Sequence, residues 1–148
     1  MKFKYRLEKV LQHRQTLEDI AQREFQQVQS QLVQEQERLQ EQKNLLQKAY
    51  LQRGEIQDNS ENFPPETLKQ IHEFTILQSK VIENQNRVIE VIAKVVEEKR
   101  LILVEKVRET KALQKLKDKK FEEFNDEIKQ KEQAENDELS ILRFNPET

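Results

Sequence analysis

The chain has 148 residues, of which charged residues make up 36% and aliphatic plus aromatic residues 34%, with 26 Lys and Arg against 28 Asp and Glu for a net charge of −2. That apolar fraction is too lean for a conventional globular core and close to the profile of coiled coils, while the small net charge and the periodic apolar residues argue against disorder. There is no cysteine, which suits a reducing compartment, and neither a signal peptide nor an apolar run approaching ~18 residues can be read, so a cytosolic protein is expected.

The helix breakers organise the rest. Gly54, Pro64 and Pro65 fall in one short window and Pro146 lies near the end; Gln, Glu, Lys, Leu, Ile and Val dominate elsewhere. Since glycine and proline stop or kink helices, the expected fold is all-α: a long two-helix antiparallel coiled-coil hairpin, one unit over residues 1–148, with an overhanging C-terminal helix. Helix 1 is expected at about 3–55, the turn at about 56–65 and helix 2 at about 66–141.

Helix 1 is traced by a 3-4 seam through Leu7, Val10, Arg14, Leu17, Ala21, Phe25, Val28, Leu32, Glu35, Leu39, Gln42, Leu46 and Ala49. Two successive four-residue steps, Leu17 to Ala21 to Phe25, form a stutter that predicts local unwinding. Glu35 and Gln42 occupy seam positions, so the middle of the helix is expected to pack loosely. Gly54 either ends helix 1 or lies in its last turns at a cost of ~1 kcal/mol. Asp58 to Asn62 is turn chemistry, Phe63 before a proline is expected to be extended, and Pro65 with Glu66 suits a helix first turn.

Helix 2 carries a seam through Leu68, Ile71, Phe74, Leu77, Val81, Val88, Ile92, Val95, Ile102, Leu113 and Leu116, with an apolar surplus between Val88 and Val107. Its β-branched density would suit strands, but no turn residue bounds the runs and charged pairs interrupt them. A turn centred near residue 60 makes partner numbers add to about 120, placing Phe3 near Lys117 and Leu46 near Phe74. At 1.5 Å per residue, helix 1 would be ~75 Å long and helix 2 ~110 Å, leaving roughly the last 20 to 25 residues without a partner in the chain.

Three surfaces are candidates for function. Lys2, Lys4, Arg6, Lys9 and Arg14 would meet Arg108, Lys111, Lys115, Lys117, Lys119 and Lys120 as a cationic collar, read either as a solvated face or as a docking surface for an acidic protein. Nucleic acid is disfavoured by the slightly acidic chain and the lack of interleaved aromatics. Near the turn, Leu46, Tyr50, Ile71 and Phe74, with Phe63 in the loop, either cap the coiled coil or form an anchor patch. Ile89, Val96 and Leu103, beside the helix 2 seam, are expected to form a second interface for a chaperone, a second copy or the inner wall of a ring. His13 and His72 fall toward opposite ends, and no catalytic constellation, metal-ligand cluster or cofactor motif can be read. A non-enzymatic, partner-binding chain is expected.

Phe3-Lys4-Tyr5-Arg6-Leu7-Glu8-Lys9-Val10-Leu11, with Arg14, Glu18 and Ala21, resembles the opening of the flagellar FliJ family. The stretch Arg108 to Lys117, followed by Lys119-Lys120-Phe121-Glu122-Glu123-Phe124, resembles that family's later basic segment. Glu132-Gln133, Asp137-Glu138 and Arg143-Phe144 are similar to its closing motif. The resemblance implies a helical hairpin like the central-stalk helices of rotary ATPases, binding a hexameric flagellar export ATPase, a membrane export-gate protein and substrate chaperones, with no direct membrane insertion and no cofactor. It implies a cytoplasmic chain, peripherally associated with the inner-membrane export apparatus. The collar, with Phe121 and Phe124, would face the ATPase; Tyr50 and Phe74, with Ile71 and Leu46, would face the gate, although an aromatic is common in the family where Leu46 stands. The equivalent stalk of a virulence type III secretion system and a generic coiled-coil scaffold or chaperone are the alternative readings.

Overall fold

A computed structural model describes residues 2–144 of the chain, and it is an all-α helical hairpin, 94% helical with no strand among the described residues. Helix α1 spans Glu8–Asp58, a 3-10 turn spans Ser60–Asn62, and helix α2 spans Pro65–Phe144. Glutamine, glutamate, lysine and leucine all have good helix propensity, so these long runs need no special local device. The chain divides into two compact units: one combines residues up to Ile20 with those from Val104 onward, and the other is Ala21–Leu103.

The boundaries follow local chemistry. Helix α1 starts at Glu8, later than the expected residue 3, with the Glu8 amide donating to the Tyr5 carbonyl and an acidic residue in the first turn, where the helix dipole favours it. It runs through Gly54 rather than stopping there, since Gly54 has no positive φ. The turn is closed by the Asn62 amide donating to the Asn59 carbonyl. Phe63 is extended (φ −123°, ψ 143°), as a residue before proline should be, and Pro65 opens α2, where its missing amide proton costs nothing.

Within Ala21–Leu103, α1 presents Ala21, Phe25, Val28, Leu32, Glu35, Leu39, Gln42, Leu46 and Ala49 at strict 3-4 spacing, all buried or half-buried. The facing seam of α2 is Thr75, Gln78, Ile82, Gln85, Ile89, Ile92, Val96, Lys99 and Leu103. This corrects the expected helix 2 seam by one residue at five positions, while the expected Ile92 stays on it: Phe74, Leu77, Val81, Val88 and Ile102 are exposed, as is Leu116 farther along, and the positions beside those five face inward. The reason is polar. Gln85 donates through Nε2 to the Glu35 carbonyl (2.9 Å) and to the Glu35 carboxylate, and Gln78 donates to the Gln42 carbonyl (3.0 Å). The polar seam positions of α1 are therefore where α2 is tied to it, at the register expected from a turn near residue 60. Thr75 satisfies its own hydroxyl on the His72 carbonyl (2.7 Å), so it can be buried without a cross-helix partner.

In the other unit, Leu11 is the largest fully buried side chain, at 1% exposure, and takes the place expected of Val10, which is exposed. Thr110, buried, donates to the Lys106 carbonyl. Residues 129–144 of α2 are exposed at every position, without a partner among the described residues, as expected for the overhang.

A Cβ at Gly54 would meet nothing within 4 Å. Gly54→Ala should therefore raise stability by ~0.5–1 kcal/mol, or about 2–4 °C in Tm, read by thermal circular dichroism. Gln78→Leu with Gln85→Leu should change stability by no more than about 1–2 kcal/mol, because the apolar burial gained is offset by the donor lost to the half-buried Glu35 carboxylate. The same pair should broaden the distance distribution between spin labels at the exposed positions 40 and 80, because the bonds that fix register are gone. An unbroadened distribution would assign register to packing alone.

Candidate functional site

The first site is built on a segment that is not helical. Residues 2–5 precede any helical turn, and exposure alternates: Lys2, Lys4 and Arg6 are exposed while Phe3, Tyr5 and Leu7 are half-buried. A period of two is the signature of an extended chain with one face against a surface. Here the surface is α2. The Phe3 ring meets Phe121 edge-on (5.3 Å between centroids, 72°) and Phe124 at a tilt (5.5 Å), while the Tyr5 hydroxyl donates to the Leu113 carbonyl (3.2 Å). Phe3 therefore lies beyond the expected neighbour Lys117, because an extended segment advances about 3.3 Å per residue against 1.5 Å in a helix.

This arrangement sorts the expected collar into two groups. Arg14 is bound to Glu109 across the hairpin (2.7 Å), Lys117 to Glu8 (2.8 Å), and Lys120 to Glu123 one turn along α2 (3.5 Å). Their charges are matched, and the first two pairs tie the helices together. Lys2, Lys4, Arg6, Lys9, Arg108, Lys111 and Lys115 are exposed, with no ion pair among the described residues, as is Lys119. The basic residues that would oppose the helix dipole mostly precede α1. Two open grooves flank the segment. One, of about 640 Å³, is lined by Tyr5, Leu7, Leu116 and Phe124 with Lys4, Arg6, Lys120, Glu123 and Glu127; the other, of about 630 Å³, runs past Glu8, Lys9, Gln12 and Lys117. Both grooves thus have an apolar floor and a rim of mixed charge, and the unpaired cations lie on the outward side of the segment.

The expected patch near the turn is divided. Ile71 and Phe74 line one groove of about 370 Å³ with Leu45, Lys48, Ala49 and Gln52. Leu46 is half-buried in the seam, and Tyr50 lies outside that groove with the Arg53 guanidinium 5.0 Å from its ring centroid. Four residues turn a helix 40° past a full revolution, which carries Tyr50 to the flank opposite Leu45. Phe63 is exposed in the turn. Leu45, beside the seam residue Leu46, joins this groove without being part of the apolar seam.

Ile89, Val96 and Leu103, expected as an uncovered strip, are half-buried on the α2 seam. The uncovered strip is the adjacent one. A seven-residue repeat that a sequence reading could have found marks both: Lys80-Val81-Ile82-Glu83, Arg87-Val88-Ile89-Glu90 and Lys94-Val95-Val96-Glu97. The second apolar residue of each unit faces α1. On the outer side, a hydrogen bond from Arg100 holds the Glu97 carboxyl below its usual value, and the same contact raises Arg100. That is the behaviour of a solvated surface pair, not of a poised acid. No group of three or more potential metal ligands occurs among the described residues.

Phe3→Ala should release the N-terminal segment while leaving α1 formed. Fast amide exchange at residues 3–7 and a stability loss of ~1 kcal/mol, the scale of an aromatic pair, are expected, with protection from Leu11 onward retained.

Residues 3–147 match the family model described as Flagellar FliJ protein. No curated protein and no solved structure matches the chain. That family comprises non-catalytic components of the flagellar export apparatus. With a match running over nearly its whole length, on a helical hairpin whose opening Phe3-Lys4-Tyr5-Arg6-Leu7 is clasped to Phe121 and Phe124, the chain belongs to the FliJ family.

Proposed function

We propose that the chain is a non-enzymatic stalk and adaptor of the flagellar type III export apparatus, docking its basic end on the hexameric export ATPase. The observation that carries this is the comb of unpaired cations on the clasped N-terminal segment and the facing part of α2. Lys2, Lys4 and Arg6 are turned outward by the burial of their alternate neighbours, and Lys9, Arg108, Lys111 and Lys115 are exposed nearby. Holding charges in this way costs self-repulsion and contributes nothing to the hairpin, so a partner bearing acidic groups is the economical explanation. Phe121 and Phe124 act on this reading through Phe3, as the anchor that orients the comb. Arg14 and Lys117 tie the two helices together and Lys120 is paired within α2, so these three offer less free charge.

The groove of Leu45, Ile71 and Phe74 is the surface for the membrane export gate on this reading, with Tyr50 on the adjoining flank and Leu46 supporting from the seam. Substrate chaperones are escorted by the same protein. The chain acts in the cytoplasm, peripheral to the inner-membrane export apparatus, in keeping with the finding that no helix among the described residues is long and apolar enough to cross a membrane.

Reversing Lys4, Lys9, Arg108 and Lys115 to Glu should weaken binding to the purified ATPase ring at least tenfold at low salt and flatten its salt dependence. Tm should be unchanged, since these side chains are exposed. Phe74→Ala should leave ring binding intact and reduce gate binding. Wild-type ring affinity in the fourfold variant would make the comb a solvated face and would overturn the proposed orientation.

A further inference from the structure

Helix α2 carries two heptad stripes side by side, and only one is used by the hairpin. The inner stripe faces α1. The outer one begins at Phe74 and continues through Leu77, Val81, Asn84, Val88, Val91, Val95, Glu98 and Ile102, at unbroken 3-4 spacing. Leu77, Val81, Val88, Val91 and Ile102 are between 41% and 62% exposed. Scattered exposed aliphatics need no explanation, but a stripe that keeps a 3.5-residue period over four heptads is the surface against which another helix packs.

The charges bordering the stripe choose the occupant. Its free edge is Lys80, Arg87 and Lys94, seven residues apart and all exposed. These occupy the position preceding an apolar heptad residue, where antiparallel helices set like positions against each other. Two copies joined antiparallel through this stripe would oppose Lys80, Arg87 and Lys94 with their own counterparts, which disfavours that self-pairing. The groove at the turn, where Lys48 and Gln52 adjoin Gln70 and Phe74, shows which flank of α1 borders the other edge. Farther along that flank stand Glu24, Gln27, Gln31, Gln34 and Arg38, all exposed, with Glu24 paired to Lys99 and Arg38 to Glu35. One wall of the trough is thus basic and the other has its charges matched.

We infer that Val81–Ile102 is a docking surface for an amphipathic helix of another protein, one with an apolar heptad seam and acidic flanking residues, which would complete a three-helix coiled coil. This surface is distinct from both the cationic comb and the Leu45–Phe74 groove, and it does not depend on the function proposed for either. Binding would bury Val81, Val88 and Val91 and set acidic side chains against Lys80, Arg87 and Lys94.

The probe is a synthetic peptide of about four heptads with Leu at both seam positions and Glu at both flanks, which repulsion keeps largely unfolded alone at neutral pH. Mixed with the full chain, it should gain helicity by circular dichroism and bind saturably. A Lys-flanked peptide should bind at least tenfold more weakly. Val88→Gln with Val91→Gln should lower affinity for the Glu-flanked peptide at least tenfold at unchanged Tm, because both side chains are exposed. Arg87→Glu with Lys94→Glu should invert the preference between the peptides. Failure of the Glu-flanked peptide to bind, equal binding of both peptides, or indifference to the valine changes would each overturn the inference. So would self-association of the free chain in sedimentation that the valine changes abolish, since a second copy would then be the occupant.

Discussion

Gln78 and Gln85, seven residues apart on α2, donate to the carbonyls of Gln42 and Glu35, seven residues apart on α1. The rest of the hairpin depends on this pairing, because apolar burial alone points elsewhere. Of the nine positions from Thr75 to Leu103 on the inner stripe, five are apolar; of the nine from Phe74 to Ile102 on the outer stripe, seven are. A helix seated by hydrophobicity only would turn its richer stripe to α1. Two buried amide donors reverse that choice, because turned outward they would forfeit their bonds and bring Asn84 and Glu98 inward without partners. Buried polar residues fix register in coiled coils at a cost in stability, and here they also leave the more apolar stripe open to solvent.

The terminal unit solves a different problem. Helix α1 must be tied to α2 where the seam narrows, and Leu11 is the one fully buried large side chain there. The chain adds an aromatic clasp, Phe3 against Phe121 and Phe124, one phenol-to-carbonyl bond, and the cross-helix pairs Arg14–Glu109 and Glu8–Lys117. Exposed ion pairs contribute little each, so the aromatic contacts and Leu11 carry most of the attachment. Because the clasp is extended, its two sides separate cleanly into apolar and cationic, which a helix of the same six residues would have mixed around its circumference.

Much of this was legible in the sequence. The placement of Gly54, Pro64 and Pro65 gave two helices and one turn, and the arithmetic of the turn gave the pairing around Glu35 and Gln42. A seam traced through apolar residues alone departs from the one the hairpin uses. Thr75, Gln78, Gln85 and Lys99 are seam residues that such a trace passes over, and stepping from Phe74 to Val81 to Val88 follows the more apolar but wrong stripe. The clasp was missed for a related reason: Lys2 to Leu7 alternates with a period of two, but it adjoins a long 3.6-residue pattern and was absorbed into it. The site residues inherit these errors. Ile89, Val96 and Leu103 moved to the seam, and Tyr50 parted from Phe74, while the charges of the comb, which need no register to be exposed, stayed where composition put them.

The order in which the two units can form follows from the distances along the chain that their contacts span. The Gln78–Gln42 bond closes a loop of 36 residues, the Gln85–Glu35 bond one of 50, and the Tyr5–Leu113 bond one of 108. Closing a loop costs entropy that grows with its length, but each contact made near the turn shortens the loop remaining for the next. Loop entropy therefore favours closing the contacts nearest the turn first and the aromatic clasp last. During synthesis the consequence is sharper. Phe3 is synthesised more than a hundred residues before Phe121 and Phe124, so residues 2–7 stay unclasped, with their cations exposed, until that part of α2 follows.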